Sequence, residues 1–232
     1  MPIRGLVFDL DGTLVDQEGA ERDALRELYE RDLDIPGKPS YLAFVRDWRN
    51  IADDYLQRFL DNEIGFDEQR IRRFQDLCVK YGQDCSWEQA SLLHAAYADH
   101  YRQRWRAFDE TLPALEALAK RFTLAVITNG EGAQQRAKLE ATGMAPLFAQ
   151  VLVSGDVKVS KPDPAIFRLC EKALGLGPAE LAYVGDRLEV DVTGARAAGW
   201  TPVWLDRKGM PGPAEQGLLV ANKLAELDAL LP

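Results

Sequence analysis

The chain has 232 residues, 47% hydrophobic and 28% charged, the balance of a globular protein long enough to bury a sizeable core. A formal net charge of −9 argues against a nucleic-acid duplex or an anionic membrane surface as partner, while leaving room for a small anionic ligand in a locally basic pocket. No apolar run is long enough to span a bilayer, Met1–Phe8 is too short for a secretory leader, and Cys78, Cys85 and Cys170 lack metal-ligand spacing, so a cytoplasmic protein with reduced thiols is expected.

In chain order, the first predicted element is a buried strand over Ile3–Phe8, which runs into Asp9-Leu10-Asp11-Gly12-Thr13. If the chain stayed extended there, both carboxylates would point to one side. From residue 16 to 108 no convincing strand is found. Gln17–Arg31 predicts a helix, and Ser40 is placed to cap a second with Phe44, Trp48, Ala52, Tyr55 and Phe59 on one face. Ile71, Phe74 and Cys78 form a third stripe. Ser86 with Gln89 forms a capping box ahead of a helix bearing Leu93, Tyr97, Tyr101 and Trp105. These aromatic stripes predict the core of a helical bundle rather than a cofactor box. Further strands are predicted over Phe122–Thr128, Gln150–Val153, Leu181–Val184 and Pro202–Leu205. Between them lie a helix over Gln134–Thr142 closed at Gly143, and another started by Asp163 and Pro164. Lys208–Gly217, rich in glycine and proline, predicts a surface loop. The pattern is that of an α/β fold: a Rossmann-like parallel sheet core with an inserted helical-bundle domain. The expected division is residues 1–15 and 109–232 for the core and 16–108 for the insert.

Open α/β sheets bind ligands at the carboxyl ends of their strands. Polar residues collect there: Asp9 and Asp11 after the first strand, Thr128-Asn129-Gly130 after the second, Lys161-Pro162 beyond the third, and Gly185-Asp186 after the fourth, with Asp191 five residues on. Taken singly, these are a turn, a strand-to-helix loop, a solvated lysine and a helix cap. Taken together, on successive strand ends, they predict a site. Four aspartates against one lysine call for a hard divalent cation, and an oxygen-only donor set favours Mg²⁺ over zinc.

These segments resemble the four motifs of the haloacid dehalogenase superfamily, and the insert is similar to that superfamily's small cap. Thr128-Asn129-Gly130 followed by Gln135 and Lys138-Leu139 is similar to the branch containing pyrimidine 5′-nucleotidases and N-acylneuraminate-9-phosphatases. The resemblance implies a nucleophilic Asp9 that forms an aspartyl-phosphate, and an Asp11 that protonates the leaving oxygen and then deprotonates water. It implies that Thr128 and the Asn129 backbone bind phosphoryl oxygens, that Lys161 neutralises charge, and that Mg²⁺ sits between Asp9, the Asp11 carbonyl and Asp186. Asp191 would orient Lys161 or a metal-bound water. Arg187 departs from the small polar residue more usual in the family. Dehalogenases of this superfamily attack carbon without a metal and lack the second aspartate, so Asp11 favours phosphate chemistry. The implied activity is hydrolysis of a small soluble phosphorylated metabolite, a nucleoside monophosphate or a sugar phosphate, with the cap supplying selection. A phosphotransferase or phosphomutase of the same superfamily is the alternative. A non-catalytic binding protein would be marked by loss of Asp9, Asp11 or Lys161, all of which are present. In the insert, Arg46, Trp48 and Arg49 are candidate substrate contacts, with Arg102, Arg104 and Arg106 as a second cluster. The competing reading is that these arginines are solvated and Trp48 packs the bundle. His94 and His100 have no serine or cysteine context for a hydrolytic triad. The oligomeric state is left open.

Overall fold

The computed structural model describes residues 2–35, 37–60, 63–209 and 218–231, without the side chains of 56, 59 and 60. The loop expected over Lys208–Gly217 therefore lies mostly outside the described residues, as does the side chain of Phe59. In chain order, β1 (Gly5–Phe8) is followed by α1 (Gln17–Glu27), α2 (Tyr41–Leu60), α3 (Phe66–Lys80), α4 (Trp87–Gln103) and α5 (Thr111–Leu118). Then come β2 (Thr123–Thr128), α6 (Gly132–Ala141), β3 (Gln150–Val153), α7 (Ser154–Val157), α8 (Pro164–Leu174) and β4 (Leu181–Gly185). The chain closes with α9 (Thr193–Ala197), β5 (Thr201–Leu205), β6 (Leu219–Ala221) and α10 (Leu227–Leu230). It divides into two units, Met1–Gln17 with Trp105–Pro232, and Glu18–Arg104.

The first unit is built on a six-stranded parallel sheet in the order β3-β2-β1-β4-β5-β6. Its inner strands are apolar on both faces, as a sheet covered on both sides requires. Leu6, Phe8, Leu124, Val126, Ala182 and Val184 fill one core. Their alternates Val7, Ala125, Ile127, Leu181 and Tyr183 fill the other. β6 was not expected: three residues, partly exposed and at the sheet edge, carry too little pattern to read. α8 starts as expected, with Asp163 accepting from the Ala165 N–H at 2.8 Å and Pro164 in the first turn, and it buries Ile166, Phe167 and Cys170 against the sheet. Burial of such side chains contributes about 1.5–3 kcal/mol each.

The second unit is helical. The expected helix over Gln17–Arg31 is α1 up to Glu27 and then a wider π turn over Leu28–Asp32. Both halves of the capping box at Ser86 and Gln89 are formed, at 3.2 and 2.9 Å. Its core holds Leu25, Leu28, Phe44, Trp48, Phe74, Leu77 and Ala90. No helix among the described residues is long and apolar enough to cross a membrane.

Candidate active site

β1 lies between β2 and β4, with Phe8 in register with both Val126 and Val184. Asp9, the next residue, is thereby delivered to the carboxyl edge at the switch point of the sheet, and its N–H donates to the Val184 carbonyl at 2.9 Å. It is 6% exposed. Burial pushes its carboxyl up to about 7, against the pull of Lys161 and with the help of Asp191.

Lys161 is the hub. Its Nζ donates to Asp9 Oδ1 at 2.6 Å, Asp191 Oδ1 at 2.7 Å and Tyr183 Oη at 2.7 Å, which uses all three ammonium hydrogens. Tyr183 passes its own hydrogen to the Ile127 carbonyl at 2.8 Å, so its oxygen is free to accept from Lys161. Burial works against the charged amine, but Asp9 and Asp191 outweigh it and hold the Lys161 pKa above its ordinary value. The Asn129 amide fixes the Lys161 backbone, accepting from its N–H at 2.9 Å and donating to its carbonyl at 3.0 Å. Asn129 thus ties the end of β2 to the loop that carries the lysine.

Asp186 follows β4. It accepts from Thr13 Oγ1 at 3.3 Å, and burial, then the charge of Asp191, raises its pKa. Asp191 is buried and takes its second hydrogen bond from the Arg187 N–H at 3.0 Å, while the Arg187 side chain is exposed. Carboxylate oxygens of Asp9, Asp186 and Asp191 lie within 4.8 Å of one another. Two glycines make room for them. A Cβ on Gly12, whose φ is +86°, would sit 2.5 Å from Asp186 Oδ2, and one on Gly185 would sit 2.4 Å from the Asp191 carboxyl. Three carboxylates facing one ammonium, with oxygen donors throughout, fit Mg²⁺.

Asp11 is held differently from Asp9. β1 ends at Phe8, and Asp11 falls in a turn at Gly12 where it bridges to Val15, so the extended arrangement considered from the sequence does not form. Its carboxylate is not part of the acidic cluster. Lys138 Nζ grips both of its oxygens, at 2.6 and 2.8 Å, and Gln135 Nε2 donates to Oδ2 at 2.9 Å. The same Gln135 nitrogen reaches Thr128 Oγ1 at 2.7 Å. Gln135, Lys138 and Tyr183 carried no site role in the sequence reading. A lysine in mid-helix and a tyrosine in an apolar strand read as surface and core. The available signal was that Gln135 and Lys138, three residues apart, share a helix face with the buried Leu139.

In the helical unit, Trp48 is 2% exposed and its indole packs against Phe74 and Tyr97, with ring centres 4.9 and 5.3 Å away. The structure places it as a core residue with no open face for a ligand. Arg46 and Arg49 are exposed, and Arg46 pairs with Asp47 at 3.0 Å. Arg102 pairs with Asp99 and Arg104 with Glu27, while His100 pairs with Asp32. Arg106, in the sheet unit, pairs with Asp16 at 2.8 Å.

A family model described as haloacid dehalogenase-like hydrolase matches residues 3–199. A phosphoserine phosphatase of Thermus thermophilus is 44% identical over 115 residues, which is 49% of this chain and 46% of that protein, so the match spans about half of each. The N-acylneuraminate-9-phosphatase of Mus musculus is 28% identical over 246 residues, covering 99% of this chain and 94% of that protein. Among solved structures, the HAD-hydrolase YfnB of Bacillus subtilis, determined bound to magnesium, matches with a TM-score of 0.82 at 26% identity, covering 100% of this chain and 99% of that one.

Proposed function

The chain belongs to the haloacid dehalogenase-like hydrolases, and from that premise we propose that it is a Mg²⁺-dependent phosphomonoesterase acting through an aspartyl-phosphate on Asp9. The observation that carries the reading is the convergence of Lys161 on Asp9 and Asp191 beside Asp186, with a second carboxylate, Asp11, held apart by its own cation. One buried carboxylate is thus set against a fixed positive charge, and another is available for proton transfer.

A carboxylate oxygen of Asp9 attacks phosphorus, and the bond from phosphorus to the ester oxygen breaks. Asp11 passes a proton to the departing oxygen. Water then attacks phosphorus, its proton goes to Asp11, and the bond to Asp9 breaks to release phosphate. Lys161 and the Thr128 hydroxyl, with the Asn129 backbone, stabilise the charge on the phosphoryl oxygens. Asp191 orients Lys161. Asp9, the Asp11 carbonyl and Asp186 would hold the Mg²⁺, which when bound supplies neutralising charge to the nucleophile and the phosphoryl group. The helical unit, Glu18–Arg104, selects the substrate, and the exposed Arg46 and Arg49 are its candidate contacts. The class we favour is a nucleoside monophosphate or a sugar phosphate. It is supported by the Thr128-Asn129-Gly130 context and by the phosphatase names of the full-length relatives. The test is phosphate release over nucleotides, sugar phosphates, phosphoserine and phosphoglycolate, with Asp9→Asn as control. Activity that disappears in Asp9→Asn with an intact fold supports the reading. No release from any phosphomonoester, or turnover that survives in Asp9→Asn, defeats it.

A further inference from the structure

Resting on the phosphomonoesterase reading, we propose that Lys138 and Gln135 are positioning residues for Asp11, fixing the carboxyl that exchanges a proton with the leaving oxygen. Lys138 is 1% exposed, and its ammonium lies on both oxygens of one carboxylate. Burying an ammonium is costly, and an apolar side chain of similar length would pack the same space without that cost. A lysine here is therefore explained by what it holds. The backbone carbonyl of Lys138 takes the Thr142 hydroxyl at 2.6 Å, and the ammonium lies 5.9 Å from the centre of the Trp105 ring.

Gln135 adds the second constraint. Its Nε2 has two hydrogens, and Asp11 Oδ2 and Thr128 Oγ1 lie at 2.9 and 2.7 Å from it. One amide thereby links the end of β1 to the end of β2. Gly130 leaves space for it, since a Cβ there would come within 3.1 Å of the Gln135 side chain. The terminal torsion of an aspartate is broad and roughly two-fold when nothing holds it. Lys138 gripping both oxygens and Gln135 gripping one set the carboxyl plane. A general acid displaced by about 1 Å loses on the order of a hundredfold in rate, so such a frame acts on the chemistry through Asp11.

The signature of this role is a dependence on the leaving group. An alkoxide needs a proton as it departs, whereas p-nitrophenolate leaves without one. The value of kcat/KM covers the steps up to phosphoenzyme formation, where the leaving group departs. Lys138→Met and Gln135→Leu are compared with the wild-type protein on p-nitrophenyl phosphate and on its best alkyl phosphate among glycerol 3-phosphate, ribose 5-phosphate and glucose 6-phosphate. Lys138→Met is expected to lose at least about tenfold more kcat/KM on the alkyl phosphate than on the nitrophenyl ester, and Gln135→Leu about threefold more, both within the span general acid catalysis supplies. Asp11→Asn, measured alongside, should show the same discrimination more strongly. If Asp11→Asn discriminates while Lys138→Met and Gln135→Leu lose both substrates equally, the positioning role is overturned and the phosphatase reading stands. If Asp11→Asn does not discriminate either, Asp11 is not the acid and the positioning role falls with it. Should Lys138→Met not fold, the Gln135→Leu profile decides, because that change removes no charge.

Discussion

Replacing Lys161 with methionine removes the ammonium and keeps most of the stem volume. Three contacts are lost, to Asp9 at 2.6 Å and to Asp191 and Tyr183 at 2.7 Å, all of them buried. The larger effect is on what remains. Asp9, Asp186 and Asp191 stay within a cluster whose oxygens lie within 4.8 Å, with the ammonium gone. Breaking a buried ion pair by removing one partner costs about 3–5 kcal/mol. For a chain of 232 residues, about 2–4 °C of Tm per kcal/mol makes this a fall of about 6–20 °C in metal-free buffer. A cation bound at the carboxylates offsets the loss, because a ligand at a hundred times its Kd returns about 2.7 kcal/mol. Thermal denaturation by circular dichroism at pH 7.5, with and without Mg²⁺, measures both effects. The variant should melt well below the wild-type protein without Mg²⁺, show a larger upward shift when it is added, and have no measurable phosphatase activity. A variant melting within about 2 °C of wild type in both buffers would show that these carboxylates do not depend on Lys161, and the electrostatic account of the site would fail.

Burial raises the folded pKa of Asp9 to about 7, so the stability it contributes is full below its unfolded value near 4 and is lost as pH rises through about 7. The Tm of the metal-free protein should therefore fall between pH 5 and pH 8, and Asp9→Asn should flatten that slope in a pH series of melting curves. Tyr183→Phe removes the acceptor at Lys161 and the donor to the Ile127 carbonyl. It is expected to cost about 1–3 kcal/mol for each of the two buried groups left unpaired and to lower kcat by less than about tenfold, as checked by denaturant unfolding and steady-state kinetics. Trp48→Ala should cost about 3–5 kcal/mol, because the indole fills the helical core. The ratio of nucleotide to p-nitrophenyl phosphate turnover should stay the same, and a selective loss on nucleotides would contradict the buried placement of Trp48.

The parts of this protein that were legible in its sequence are those where one residue type has few alternative uses. Apolar runs ending abruptly in Asp9, Thr128 and Asp186 marked the strands that deliver these polar residues to one edge of the sheet, because parallel strands buried on both faces carry polar residues mostly at their ends. The Ser86 and Gln89 cap was legible because its chemistry is local. Lys138 was not legible as a partner of Asp11. The two are 127 positions apart, and although Lys138 shares a helix face with the buried Leu139, that pattern does not name the carboxylate it meets. Tyr183 read as a strand aromatic because its ring does pack in the core, against Phe167 and Trp200, and only its hydroxyl serves the site. Asp11 was expected beside Asp9 from two-residue spacing. That spacing holds only while the chain stays extended, and the turn at Gly12 ends it. Strand β6 was missed because Leu219 and Val220 are partly exposed and three residues set no period.

The central claim, phosphoryl transfer through Asp9, is tested most directly by trapping the covalent intermediate. Asp11→Asn keeps the nucleophile but lacks the base for the water step, and p-nitrophenyl phosphate needs no acid to lose its leaving group. Mixing the two in Mg²⁺ buffer, quenching rapidly in acid and mapping peptides by mass spectrometry should place one phosphoryl group on the peptide that carries Asp9, and none on that peptide in a parallel quench of Asp9→Asn. Release of p-nitrophenol by Asp11→Asn with no phosphoryl group on Asp9 at any quench time, or with the group on another residue, would contradict the account.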